Sequence, residues 1–341
     1  MKQRVFVTGA TGGMGFASLK EMLKDTDKQD IVILARDSEK NRNILKPYTE
    51  TPGLEIVWGD LNNYDDVLKC VKGCDLILHI AAFVSPAADY YPKQAMKVNY
   101  GSTRNIISAI YELGQQERTR LVYIGTVAET GDRMPPVHWG RVGDPIKPSM
   151  FDYYAVSKVA AERLVIESGL KYWVSLRQTG IIGRAMAEIE DAIMFHNCFD
   201  NVLEYCSDRD SARAMKNLCA FFHDGSLEES FWGHIYNIGG GAPCRISTYE
   251  MYRIMYGAIG MTNLDYMLSP KKEATLNFHG QYYLDGDKLE NYLHFRHDSM
   301  QYFYDCYLEK LGALCTVSKI LCRLPGLSLI HISEPTRLRR I

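Results

Sequence analysis

Arg4-Val5-Phe6-Val7-Thr8-Gly9-Ala10-Thr11-Gly12-Gly13-Met14-Gly15 is the stretch that decides the fold. The apolar run Val5-Phe6-Val7 reads as a strand over 4–8, and 13–23 reads as the helix that follows it. Between them, glycines at 9, 12 and 15 let the backbone turn tightly, approach a pyrophosphate and pack helix on strand, while the helix N-terminus faces the anion. A glycine triplet alone is weak evidence; placed between a strand and a helix it predicts a dinucleotide-binding loop.

Outward from that loop, short β-branched runs alternate with amphipathic stretches, the pattern of βαβ units on a parallel sheet. Strands are expected at 4–8, 31–35, 55–59, 76–80, 120–124 and 173–177, with helices at 13–23, 64–71, 96–112 and 153–168. Six parallel strands with crossover helices make an α/β, doubly wound Rossmann sheet. Beyond Gly183 the alternation becomes irregular and rich in Tyr, Phe and His, as a smaller substrate-binding lobe would be. Helices at 207–222 and 247–260 and strands at 203–205 and 234–238 are expected there. The domain reading is therefore a nucleotide-binding unit over 1–185 and a lobe over 186–326, with some lobe segments returning to the first unit.

Composition excludes several classes. With 39 Lys+Arg against 41 Asp+Glu over 341 residues, the charge of −2 offers no basic face for a nucleic-acid backbone. At 46% hydrophobic and 23% charged residues the chain is globular, and at about 150 residues per domain its length suggests roughly two domains. The run Leu76 to Val84 is about half the ~20 residues a membrane span needs. Met1 leads almost at once into Val5-Phe6-Val7, leaving no room for a signal peptide, so a cytoplasmic protein is expected. Nine cysteines without a C-x-x-C pair, and no H-E-x-x-H, point to reduced core thiols and no metal.

The end of the second strand reads Leu34-Ala35-Arg36-Asp37-Ser38. An uncharged Ala35 beside Arg36, whose planar fork suits a 2′-phosphate, favours NADP over NAD, with Asp37 speaking for NAD. In Asp152-Tyr153-Tyr154-Ala155-Val156-Ser157-Lys158, Tyr154 and Lys158 stand four residues apart on one helix face. An ammonium beside a phenol favours the phenolate, making Tyr154 the expected acid/base; Tyr153 plus four is Ser157, so Tyr153 is not. Thr126, at the carboxyl end of the fifth strand, offers a hydroxyl to the substrate oxygen.

Together the T-G-x-x-G-x-x-G loop from Thr8 to Gly15, the Tyr154/Lys158 pair and Thr126 resemble the extended short-chain dehydrogenase/reductases, the NAD-dependent epimerase/dehydratase family. The resemblance covers about residues 3 to 300. Asp60-Leu61 matches the family's adenine contact, and His79-Ile80-Ala81-Ala82 its fourth-strand turn beside the cofactor. Asn99 matches its helix asparagine, and Tyr236 to Gly241 a late segment near the lobe junction. It implies cofactor contacts at Thr8, Gly9, Thr11, Gly12, Gly13, Met14, Gly15, Arg36, Asp60, Leu61, Ala81, Ala82, Asn99, Tyr154 and Lys158. Lys158 would bind the nicotinamide ribose and lower the Tyr154 pKa. A homodimer through the helices after the fourth and fifth strands is usual in the family.

Departures from the family pattern choose among reactions. Family dehydratases carry acids directly after the catalytic Thr; here Val127 and Ala128 follow Thr126, and the first acid is Glu129. Sugar-nucleotide epimerases usually carry an Asn three residues after the arginine ending the sixth strand, and after Arg177 that place holds Gly180. Leu176 to Gly183 looks more like the hydroxysteroid dehydrogenase branch, although Gln178 replaces its proline. The expected reaction interconverts a ketone and a secondary alcohol on a fairly apolar small molecule. Val84, Thr126, Gly180, His196, Arg213 and His279 are the candidate substrate contacts. The alternatives are a nucleotide-sugar epimerase with tightly bound NAD and a non-catalytic NADP-sensing regulator.

The last residues, 327–341, follow a Pro325-Gly326 breaker without a periodic apolar face. The segment Leu327 to Arg337 resembles the translation of a transposon-type sequencing adaptor. A non-native tail is expected, with the native chain continuing differently beyond about Gly326.

Overall fold

The computed structural model describes residues 1–133, 136–188, 197–261 and 279–321. His196 and the 327–341 tail lie outside them. The centre is a seven-stranded, wholly parallel sheet. Its strands in chain order are β1 (Gln3–Thr8), β2 (Gln29–Ala35), β3 (Leu54–Trp58), β4 (Leu76–His79), β5 (Arg120–Thr126), β6 (Tyr172–Gln178) and β7 (His234–Ile238). The spatial order is β7-β6-β5-β4-β1-β2-β3, so the order reverses between β1 and β4 and opens a crevice at their carboxyl ends.

Alternating side chains explain why both faces are covered. On one face Val5, Val7, Ile31, Ile33, Leu76 and Leu78 form a core with helix α1 (Gly13–Met22). On the other, Phe6, Val32, Ile77, Leu121 and Tyr123 pack under α2 (Tyr64–Val71), α3 (Gly101–Glu112) and α4 (Tyr153–Ile166). The runs are apolar at nearly every position because a sheet with helices on both sides leaves no wet face.

Two elements expected in the lobe belong to this sheet. The strand His234–Ile238 is β7, in register with β6 through Tyr236 and Leu176. Helix α5 (Asp208–Asp224) lies against α1, with Ala214, Met215 and Leu218 in the core that holds Leu19 and Met22. Gln3 at the start of β1 ties the two together by donating to the Cys219 carbonyl. The expected 96–112 helix is α3 preceded by a π-helical turn over Met96–Tyr100. A third core, with Leu203, Tyr205, Ile246, Met251, Tyr252 and Phe303, forms the cover beyond the sheet's carboxyl edge. It includes helix α6 (Thr248–Ala258) and the antiparallel pair Val202–Glu204 with Arg245–Ser247.

Candidate active site

A cleft of about 1010 Å³ lies along the carboxyl edge, from the Gly9–Gly15 loop across the β2 end to Thr126, Tyr154 and the cover. The loop leaves no room for side chains at two of its glycines. A Cβ on Gly15 would stand 2.1 Å from the Gly9 carbonyl oxygen, and one on Gly9, whose φ is +74°, would meet the Ala81 nitrogen at 2.8 Å. Gly12 caps α1 without a side-chain cap, and the first turn of α1 carries no acid. Its amides are therefore available to an anion, which fits the pyrophosphate of a dinucleotide. Gly13 faces open space, and Thr11, Met14, Leu61, Ala81 and Ala82 line the cleft.

Thr8 and Asn99 take different places from those expected: both are buried and hold the site together from behind. The Thr8 hydroxyl accepts from the Ala81 amide at 3.0 Å and meets His79 Nδ1 at 2.9 Å. His79 Nε2 reaches Thr103 Oγ1 at 3.0 Å, and the Thr103 hydroxyl donates to the Asn99 carbonyl. Ser102 Oγ stands 3.3 Å from the same ring nitrogen. Burial, helped by the Lys158 charge, pulls the His79 pKa down to about 3, so the imidazole is neutral. Asn99 clamps the Phe83 amide and carbonyl and donates to Ser157 on α4.

At the β2 end, Arg36 and Lys40 line the cleft. Asp37, the residue favouring NAD, is engaged by Arg42 in a two-pronged ion pair at 2.6 and 2.8 Å. Asp60 lines the same part of the cleft, and its Oδ1 accepts from the Asn62 amide and side chain.

Thr126, Tyr154 and Lys158 come together where β5 meets α4. Thr126 caps the turn Val127–Thr130, in a capping box with Glu129. The Tyr154 phenol faces the cleft and hydrogen-bonds Thr126, whereas Tyr153 is exposed. Burial raises the Tyr154 pKa, and the Thr126 hydrogen bond opposes it. Lys158 is anchored to the sheet. Its Nζ donates to the Ile124 carbonyl at 2.6 Å and stands 4.1 Å from the Tyr123 ring centre. Burial brings Lys158 down to about 8, against the pull of Glu129 and Glu162.

Behind these residues lies a charged cluster that sequence reasoning missed. Arg177 at the end of β6 donates to Glu162 at 2.6 Å, and Ser175 donates to the same carboxylate. Burial works against ionisation of Glu162, yet the Arg177 bonds hold its pKa below the ordinary value. Glu129, wholly buried, is raised well above the ordinary range by burial and by the neighbouring Glu162. Arg177 Nε also stands 3.5 Å from Glu129 Oε2 and draws its pKa back down. Glu129 is visible in the sequence only as the first acid after Thr126; what gives it meaning is the crossing of β5, α4 and β6.

The substrate end is apolar at the position that matters. A Cβ on Gly180 would meet Tyr205 Cε1 at 2.8 Å and Leu203 Cδ2 at 2.9 Å, so the residue opens directly onto that wall. Val84 and His279 also line the cleft. Arg213 does not: it is held by the Asp210 carboxylate and the Phe295 carbonyl, on the outer side of α5. Asp152, the cap of α4, accepts from the Ala155 amide at 2.7 Å, and burial raises its pKa to about 7. Between the ordinary 3.8 and about 7 the folded chain keeps a proton that the unfolded chain has released, so Asp152 costs stability as pH rises through that window. Asp152→Asn keeps the cap and removes the titration. Its Tm should exceed that of the unsubstituted chain at pH 8 and lose the advantage at pH 4; an advantage unchanged with pH would contradict the assignment.

The parallel sheet and the glycine loop at its carboxyl edge define a doubly wound Rossmann fold. The chain belongs to the NAD-dependent epimerase/dehydratase family, whose model matches residues 5–239. It is 30% identical over 195 residues to a 3β-hydroxysteroid dehydrogenase/Δ5→4-isomerase of vaccinia virus (strain Ankara), covering 52% of each chain. It is 32% identical over 109 residues to a UDP-glucose 4-epimerase of Rickettsia akari, covering 31% of this chain and 32% of that one. The chain thus spans about half the length of the curated hydroxysteroid dehydrogenase it matches. The dTDP-glucose 4,6-dehydratase of Streptomyces venezuelae, solved with NAD bound, has a similar fold at a TM-score of 0.70 and 21% identity, covering 91% of this chain and 98% of that one. Among the described residues no helix is long and apolar enough to cross a membrane, and no group of three or more His, Cys, Asp or Glu could hold a metal ion.

Proposed function

We propose that the chain interconverts a ketone and a secondary alcohol on a small, largely apolar molecule, using NADP in preference to NAD. The observation that carries this reading is the Gly180 wall, where Leu203 and Tyr205 meet the cleft at the position that sugar-nucleotide epimerases fill with an Asn. Val127 and Ala128, both buried, supply no acid for dehydration beside Thr126. Identity to a hydroxysteroid dehydrogenase over half the chain supports the same substrate class.

Gly9, Gly15 and the first turn of α1 would hold the pyrophosphate, with Arg36 and Lys40 at the ribose. When bound, the dinucleotide supplies the hydride chemistry. In reduction, the Tyr154 hydroxyl gives its proton to the substrate oxygen; in oxidation it takes that proton back. Thr126 orients the same oxygen through its hydroxyl. Lys158, fixed at the Ile124 carbonyl, places a cation behind the phenol. Tyr111, Val156 and Ile166 stand exposed on α3 and α4; a second copy of the chain is the proposed cover for this strip.

The test is a fluorescence titration with NADPH and NADH, followed by turnover of hydroxysteroids, aryl ketones and UDP-sugars. Oxidation of NADPH by an apolar ketone supports the reading. Turnover of a UDP-sugar alone, without net change in cofactor, replaces it with an epimerase. Arg36→Ala should weaken NADPH by about 10–100-fold, the scale of a lost charge-assisted hydrogen bond, and leave NADH nearly unchanged. Equal losses for both cofactors would remove Arg36 from the 2′-phosphate.

A further inference from the structure

Gln178 is the residue at which the stretch from Leu176 to Gly183 departs from the pattern it otherwise resembles, and none of the chemistry assigned so far uses it. It ends β6 as Thr126 ends β5, and the two are register partners in the parallel sheet. Partners in register point to the same face, and neighbouring strands lie about 4.8 Å apart. The Thr126 hydroxyl and the Gln178 carboxamide therefore leave the sheet edge side by side. Gln178 is only 7% exposed, and it lines the cleft.

The carboxamide is held one way round. Nε2 donates to the Thr179 carbonyl at 3.2 Å, and because a carbonyl only accepts, the atom facing it is the nitrogen. Oε1 is then left toward α5, where the wholly buried Ser211 donates its hydroxyl to it at 3.2 Å. An amide nitrogen carries two hydrogens, and the Thr179 bond uses one. Among the described residues nothing else accepts from Nε2. A buried donor without an acceptor costs free energy, so a ligand that brings an acceptor to it is favoured over one that does not. The surroundings offer none: Val127 follows Thr126, and Gly180 opens onto Leu203 and Tyr205.

We propose that Gln178 is a specificity-determining residue whose second N–H donates to an oxygen on the substrate carbon next to the reacting carbonyl. Thr126 and Tyr154 hold the reacting oxygen, and Gln178 holds its neighbour. This inference rests on the ketone–alcohol reading and narrows its substrate class to α-hydroxyketones and α-diketones on an otherwise apolar skeleton. Ser211 is a positioning residue that acts through the amide. A site built to hydrogen-bond a substrate oxygen rejects the analogue that lacks it far more strongly than an apolar pocket rejects one extra hydroxyl.

The experiment takes the apolar ketone that the protein reduces best with NADPH, together with its α-hydroxy derivative. Calorimetric Kd is measured on the protein loaded with NADP+, which cannot reduce either, beside KM and kcat with NADPH. The unsubstituted protein should bind the hydroxyketone about 10–100-fold more tightly than the plain ketone. Equal binding overturns the proposal without any variant. Gln178→Met, similar in size but without a donor, should weaken the hydroxyketone about 10–30-fold in Kd and KM and leave the plain ketone, kcat and cofactor affinity unchanged. Gln178→Asn, which keeps a donor on a shorter stem, should fall between the two, and Ser211→Ala should weaken the hydroxyketone about 3–10-fold. Equal losses with both ketones in Gln178→Met would reduce Gln178 to packing, and no loss with either would remove it from the site; each overturns the proposal. Weaker binding of NADPH and NADP+ in that variant would assign the amide to the cofactor and also overturn it. If the unsubstituted protein binds NADPH but reduces no ketone, the ketone–alcohol reading falls and the inference with it.

Discussion

Tyr154→Phe is expected to lower turnover by about a hundred- to ten-thousand-fold, the range set by losing a positioned acid/base, while NADPH binds as before. The phenol is half-buried and lines the cleft beside Thr126, and removing one oxygen leaves the ring packed where it was. Tyr153→Phe is the control, because that side chain is exposed on the outer side of α4 and should be silent. Burial raises the Tyr154 pKa, so the phenol carries the proton that reduction needs. Unchanged turnover in the Phe variant would take the acid/base assignment away from Tyr154.

Gly15→Ala should abolish dinucleotide binding more completely than any charge removal at the ribose. The new Cβ would stand 2.1 Å from the Gly9 carbonyl oxygen and 2.6 Å from its carbon, and both are backbone atoms that move only with the loop. Pushing them apart reshapes the turn against which the pyrophosphate would lie. A loss of about 100-fold or more in NADPH affinity is expected, with a lower Tm, since overpacking of this kind costs about 1–3 kcal/mol. Gly13→Ala is the matched comparison: nothing lies within 4 Å of its Cβ, and binding should survive. If the two variants bind alike, crowding at Gly15 is not what shapes the loop.

The parts of this molecule that the sequence made legible are those whose meaning is local. Strand, glycine turn and helix follow one another within 20 residues, and Tyr154 and Lys158 share a helix face by spacing alone. The position of β7 was not legible, because a short run such as His234–Ile238 says that a strand exists without saying which neighbour it joins. Lys158 shows another limit: spacing placed it near Tyr154, but the Ile124 carbonyl and the Glu129–Glu162 pair, brought from β5 and α4, decide where its charge goes. Arg213 was assigned by its place in a family pattern, and its own turn partner Asp210 holds it elsewhere.

The buried chain from Ala81 through Thr8, His79 and Thr103 to Asn99, and onward to Ser157, joins the nucleotide loop to the catalytic helix without a break. Every link is buried, and the imidazole at its middle stays neutral. The two halves that must meet a dinucleotide are therefore one inflexible piece. The opposite wall, made of Gly180, Leu203, Tyr205 and His279, shares none of these links. Substrate range can thus drift through mutation on that side while the nucleotide half stays intact, a division that lets descendants of one ancestor change what they act on without relearning how to carry a hydride.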